Sequence, residues 1–88
     1  MSFLICDPTV FAICDRYEIL VNTAENGQCA IRIGEETFYN EKAGILISET
    51  TVHKIAVPKI LLDEAGAYTV IFRKTIVKKS YFSKFEEA

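Results

Sequence analysis

The run Leu61-Leu62-Asp63-Glu64-Ala65-Gly66-Ala67-Tyr68-Thr69-Val70 constrains the fold more than any other part of this chain. It reads as a short helical turn, a glycine stop and a strand opening on a tyrosine. Gly66 ends the turn in the left-handed conformation that glycine adopts at no steric cost. Two-sheet β-sandwiches place this arrangement where the chain crosses between sheets. A tyrosine near the start of the penultimate strand then returns its hydroxyl to upstream backbone. Gly66 and Tyr68 are therefore the expected structural corner.

The rest of the chain carries strand signals. Thr9 to Cys14 follows Asp7-Pro8 and reads as a first strand. Tyr17 to Thr23 is a second, with Tyr17, Ile19 and Val21 on one face by the two-residue period. Asn26-Gly27 then predicts a type I′ hairpin, and Gln28 to Ile33 the strand returning from it. Gly34-Glu35-Glu36 is a further turn, before a short strand at Thr37-Phe38-Tyr39. Glu41 to Gly44 reads as a loop and Ile45 to Ile47 as the segment after it. Val52 to Val57 is another strand. Pro58 ends that strand and suits the first turn of a helix. Lys59 to Ala65 form the helical turn, and Leu61 and Leu62 plug the end of the core. Tyr68, Val70 and Phe72 point inward on the next strand, and a last strand is expected from about Ile76 to Phe82. Turn signals recur roughly every eight to twelve residues, as in all-β sandwiches. The expected fold is all-β, an immunoglobulin/fibronectin-III-like sandwich of seven to eight antiparallel strands with one short helical turn.

Eighty-eight residues, half of them hydrophobic, make one domain spanning 1–88. Such a chain buries roughly 60–65% of the surface that its unfolded form exposes. No run approaches the ~18 apolar residues of a membrane span. Met1 to Cys6 lacks the basic flank of a secretory signal.

The three cysteines, Cys6, Cys14 and Cys29, have no CxxC spacing. Val70 stands where an inter-sheet disulfide would put its second cysteine, two residues after the corner tyrosine. Unpaired thiols suit a reducing compartment, so the expectation is a cytoplasmic protein with cysteines buried as small hydrophobes.

Net charge is −2, which points to no charged partner. Arg73, Lys74, Lys78, Lys79 and Lys84 crowd the end of the chain, but without the signature of a nucleic-acid module. Lysines on a terminal strand discourage edge-to-edge pairing, so nucleic acid is not the expected partner.

The single histidine, His53, sits in a strand and is expected to be a partly exposed structural residue. A catalytic triad needs a histidine beside a nucleophile and an orienting carboxylate, and no spacing here supplies one. Asp63-Glu64 diverge by about 100° on a helical turn and read as solvated residues. No phosphate-cradling glycine motif occurs. The sequence assigns no catalytic or metal-binding residue.

Tyr17 to Val21, the Asn26-Gly27 pair, Val52 to Pro58 and Leu61 to Arg73 together resemble the N-terminal domain of bacterial calcineurin-like metallophosphoesterases. These proteins share a layout with purple acid phosphatases: a fibronectin-III-like or immunoglobulin-like sandwich precedes a catalytic domain with two divalent metal ions. The resemblance runs from about Val10 to Phe82. The family's catalytic blocks, of type GDxH and GNHE, do not occur in this sequence. The resemblance therefore implies an accessory domain without cofactor of its own, the N-terminal fragment of a longer chain. Its partner would be the missing C-terminal catalytic domain, and a homodimer is compatible with it. Three aromatics in five residues exceed what a free end needs, which leaves two readings: Phe82 with Tyr81 completes the core of this domain, or Tyr81, Phe82 and Phe85 are the candidate interdomain interface. Two rival readings use the same residues. One is a free-standing interaction sandwich that binds proteins by strand addition. The other is an oligonucleotide or carbohydrate binder using the lysines and tyrosines.

Overall fold

The computed structural model of the chain describes residues 3–75 and 84–88. Its described strands are β1 (Thr9–Ile13), β2 (Arg16–Asn22), β3 (Gly27–Ile33), β4 (Glu36–Tyr39), β5 (Glu41–Lys42), β6 (Ile45–Leu46), β7 (Val52–Pro58), β8 (Thr69–Lys74) and β9 (Glu86–Glu87), with one helix, α1 (Lys59–Ala65), between β7 and β8. The fold is all-β. One sheet has the order β1-β2-β7 and the other β4-β3-β8-β9. All pairings are antiparallel. β5 and β6 form a separate small hairpin, leaving seven strands among the described residues to build the sandwich.

Alternation explains which face of each strand is buried. In β7, His53, Ile55 and Val57 are buried, while Val52, Lys54 and Ala56 are exposed. Ile19 and Val21 of β2 meet Cys29, Ile31 and Ile33 of β3 and Val70 and Phe72 of β8 across the core. Leu61, Leu62 and Tyr68 pack against the rim of this cluster, as expected of the corner. α1 ends at Gly66, at φ 74°, whose N–H donates to the Leu62 carbonyl at 2.8 Å.

Asn26-Gly27 is not a hairpin turn. β2 pairs with β1 and β7, whereas β3 pairs with β4 and β8. The chain thus crosses from one sheet to the other at this point. Neither Asn26 nor Gly27 has positive φ. Glycine is needed at 27 for a different reason. A Cβ there would stand 2.3 Å from the Arg73 carbonyl oxygen and 2.5 Å from the Phe72 ring. The type I′ conformation occurs instead at Ala43-Gly44, with φ 53° and 81°, closing the β5–β6 hairpin where the sequence suggested only a loop.

The outer face of the second sheet is partly covered. Ala30 and Ile71 lie opposite each other there and are both buried. Phe85 folds back over this face, 6.0 Å from the Tyr39 ring and 4.6 Å beneath the Arg73 guanidinium. Glu87 of β9 pairs with Arg32. The strand expected from Ile76 to Phe82 lies outside the described residues.

Candidate functional site

Strand register shows which side chains share the outer face of the first sheet. Phe11 lies opposite Glu18, Thr9 opposite Leu20, Leu20 opposite Lys54, and Asn22 opposite Val52. Directly paired residues point to the same side. Phe11, Leu20 and Val52 therefore stand together on this face, with Glu18 and Lys54 between them. Phe11 is 49% exposed and Val52 55%. With Ala12 and Ile13 they line a shallow groove of about 610 Å³.

β1 adds an edge to this face. Among the described residues it pairs with β2 alone. Its residues Thr9-Val10-Phe11-Ala12-Ile13 contain neither a charge nor a proline, and four of the five are exposed. Edge strands are ordinarily blunted by such residues. Val10 points to the core side of the sheet, opposite Ile19, yet is 40% exposed, so β1 overhangs the second sheet.

A second cleft, of about 560 Å³, lies at the corner between β1, β2 and α1. Val10, Tyr17, Leu62, Asp63, Gly66, Ala67 and Tyr68 line it. Here Tyr17 donates its hydroxyl proton to Asp63 Oδ1 at 2.5 Å. That hydrogen bond, with some burial and the repulsion of the carboxylate for a phenolate, raises the Tyr17 pKa. Tyr68 is half-buried, and burial, followed by the nearby charge of Asp7, raises its pKa too. No hydrogen bond from the Tyr68 hydroxyl to upstream backbone is formed among the described residues. The corner is tied by Tyr17 and Asp63 instead.

His53 is fully buried, not partly exposed. It occupies an inward position of β7, and its ring is held at both nitrogens. Asn40 Nδ2 lies 3.0 Å from Nδ1, and Thr23 Oγ1 lies 3.2 Å from Nε2. The amide donates to Nδ1, which places the ring proton on Nε2, facing the threonine oxygen. Thr23 in turn donates to the Glu25 carbonyl at 2.8 Å. Phe72 packs edge-on to the ring. Burial lowers the His53 pKa to about 4. Each polar atom of the ring already has a partner, so His53 serves as a neutral bridge inside the core.

Of the cysteines, only Cys29 is buried; Cys6 and Cys14 are exposed, and none forms a disulfide. Cys14 falls in the β1–β2 turn at φ 53° and is exposed there, outside the core. Burial pushes the Cys29 thiol up to about 12, the Ala30 backbone opposing it.

Of the C-terminal basic residues, two among the described residues are engaged by neighbours. Lys74 pairs with Glu25 at 3.1 Å. Arg73 donates to Gln28 at 2.5 Å and covers Phe85. Lys78 and Lys79 lie outside the described residues. So do Tyr81 and Phe82 of the candidate interdomain interface, whereas Phe85 is half-buried against its own sheet. Among the described residues no three His, Cys, Asp or Glu side chains converge as a metal site. No described helix is long and apolar enough to cross a membrane. No protein-family model, curated protein or solved structure matches the chain.

The outer-face patch was missed in the sequence because Phe11 and Val52 lie more than forty positions apart. The alternation of β2 and β8 was legible, with Ile19 and Val21 on one face and Val70 and Phe72 inward, whereas that of β7 was not, since His53 was expected to be partly exposed. Which outward residues become neighbours depends on sheet order.

Proposed function

We propose that this chain is the non-catalytic accessory domain of a metal-dependent phosphoesterase, a sandwich that packs on and positions a following catalytic domain. The carrying observation is the uncovered apolar face of β1, β2 and β7 beside an unblunted edge strand. Large apolar side chains exposed together on one face mark a candidate docking site, and Phe11 and Val52 stand on this face with Leu20, interspersed with Glu18 and Lys54. The family assignment comes from the resemblance of the corner and strand segments. The two divalent ions and the reaction belong to the following domain. Tyr81 and Phe82 lead into it, whereas Phe85 lies on the outer face of the other sheet, against Tyr39 and Arg73. Three unpaired thiols agree with a cytoplasmic setting.

The test has two parts. The reading frame beyond codon 88 should contain GDxH and GNHE blocks, and a stop codon in their place overturns the enzyme link. In the extended protein, Phe11→Glu with Val52→Lys should lower the melting temperature of the catalytic part while leaving the isolated sandwich unchanged. Equal melting of the catalytic part in both proteins removes this face from the interface.

The uncharged β1 edge also favours a second reading, a free-standing module that binds proteins by strand addition. Pairing of β1 with β1 of another copy would give a homodimer. Sedimentation equilibrium of the isolated chain tests this self-pairing, and a monomer at all concentrations excludes the homodimer; the reading frame beyond codon 88 separates the two readings.

A further inference from the structure

The corner cleft is distinct from the outer-face patch and has its own chemistry. Its volume of about 560 Å³ is large enough for a side-chain-sized group. Its walls are the rings of Tyr17 and Tyr68 with Val10 and Leu62. Gly66 and Ala67 leave it open, since neither has a side chain beyond a methyl. Asp63 stands at its rim, exposed.

Four features of this cleft favour a positive charge. The Asp63 carboxylate accepts from Tyr17 at Oδ1, and its remaining lone pairs make no hydrogen bond among the described residues. Asp7 lies close enough to Tyr68 to disfavour a phenolate there. The chain's own Lys59 ammonium lies 5.6 Å from the centre of the Tyr17 ring, so a cation already occupies one aromatic face. α1 ends beside the cleft with no basic residue in its last turn, which leaves the partial negative charge of its terminal carbonyls uncompensated.

We propose that this cleft binds a basic side chain of a partner protein, an arginine guanidinium stacked on a tyrosine ring and donating to Asp63. Arginine suits the place better than lysine. Its planar, weakly hydrated head stacks on an aromatic face and donates as a fork to a carboxylate. Lys59, tethered to the first turn of α1, reaches Tyr17 only. The inference needs neither the phosphoesterase assignment nor the outer-face patch, and it stands or falls separately from both.

The probe is N-acetyl-arginine methylamide, titrated into ¹⁵N-labelled protein and followed by amide chemical shifts. Its citrulline counterpart, of the same shape without the charge, is the control. Saturable shifts are expected at Tyr17, Asp63, Gly66, Ala67 and Tyr68 with arginine and none with citrulline. Asp63→Asn keeps the acceptor for Tyr17 and removes the charge. It should weaken binding roughly ten-fold, the equivalent of one charge-assisted contact, while its own spectrum reports that the fold is retained. Adding salt should weaken the wild-type interaction. Equal shifts with citrulline, undiminished binding by Asp63→Asn, or no saturable shift at the cleft overturns the proposal.

Discussion

At the scale of single residues, burial sets the chemistry. His53 is fully enclosed and hydrogen-bonded at both nitrogens, so folding favours its neutral form. Its pKa falls from 6.5 in the unfolded chain to about 4. The unfolded state therefore binds the proton first, and stability is lost as pH drops from about 6.5 towards 4. Urea titrations at pH 7.5 and pH 5.0 should differ by about 2 kcal/mol from this residue. A His53→Gln variant should be less stable at pH 7.5 but should lack that portion of the pH dependence. Cys29 obeys the same logic from the other side: its thiol, pushed up to about 12, stays protonated and covered. A disulfide reagent at pH 8 should titrate two thiols in the native protein, Cys6 and Cys14, and the third only after unfolding. Gly27 is fixed by contact: a methyl there would strike the Arg73 carbonyl and the Phe72 ring. Gly27→Ala should cost about 3 kcal/mol in chemical denaturation, as overpacking against backbone does. The sequence marked Gly27 as special but gave a turn as the reason. Close approach of a ring from another strand leaves no local signature.

Among elements, the turns show why sequence signals are read correctly in one place and not in another. The α1–Gly66 corner was legible because its cause is local: helix-forming residues followed by a glycine that takes φ 74°. Asn26-Gly27 carries the favoured I′ pair yet spans two sheets. Ala43-Gly44 adopts the I′ geometry with a residue that resists it. There the β5–β6 pairing, Lys42 opposite Ile45, imposes the turn. Left-handed alanine costs about 1 kcal/mol, and asparagine tolerates that conformation. Ala43→Asn should therefore raise stability by about 0.5–1 kcal/mol, whereas Asn26→Ala should change it by less than about 0.5 kcal/mol. Denaturation midpoints of the two variants check both. Reversed effects would place the I′ turn at Asn26-Gly27 after all.

Taken as a whole molecule, the two sheets share one core. Ile19, Val21, Ile55 and Val57 come from one sheet, and Cys29, Ile31, Ile33, Val70 and Phe72 from the other. Each sheet buries these inward side chains against the other. Unfolding should be a single transition, with tyrosine fluorescence and far-ultraviolet circular dichroism coinciding in urea. Separate midpoints would mean that one sheet survives alone. The sequence by itself determined the all-β class, the alternation that puts Ile19 and Val21 on one face and turns Val70 and Phe72 inward, and the glycine-ended corner. These follow from local backbone preference and the two-residue period, which need no knowledge of neighbours. Tertiary structure alone decided that β2 and β3 part into different sheets, that His53 is sealed between Thr23 and Asn40, that Phe11 and Val52 share a face, and that Tyr17 reaches Asp63 beside Tyr68. Each of these joins residues distant in the chain. Their meeting is set by strand order and register, which depend on how the whole core closes.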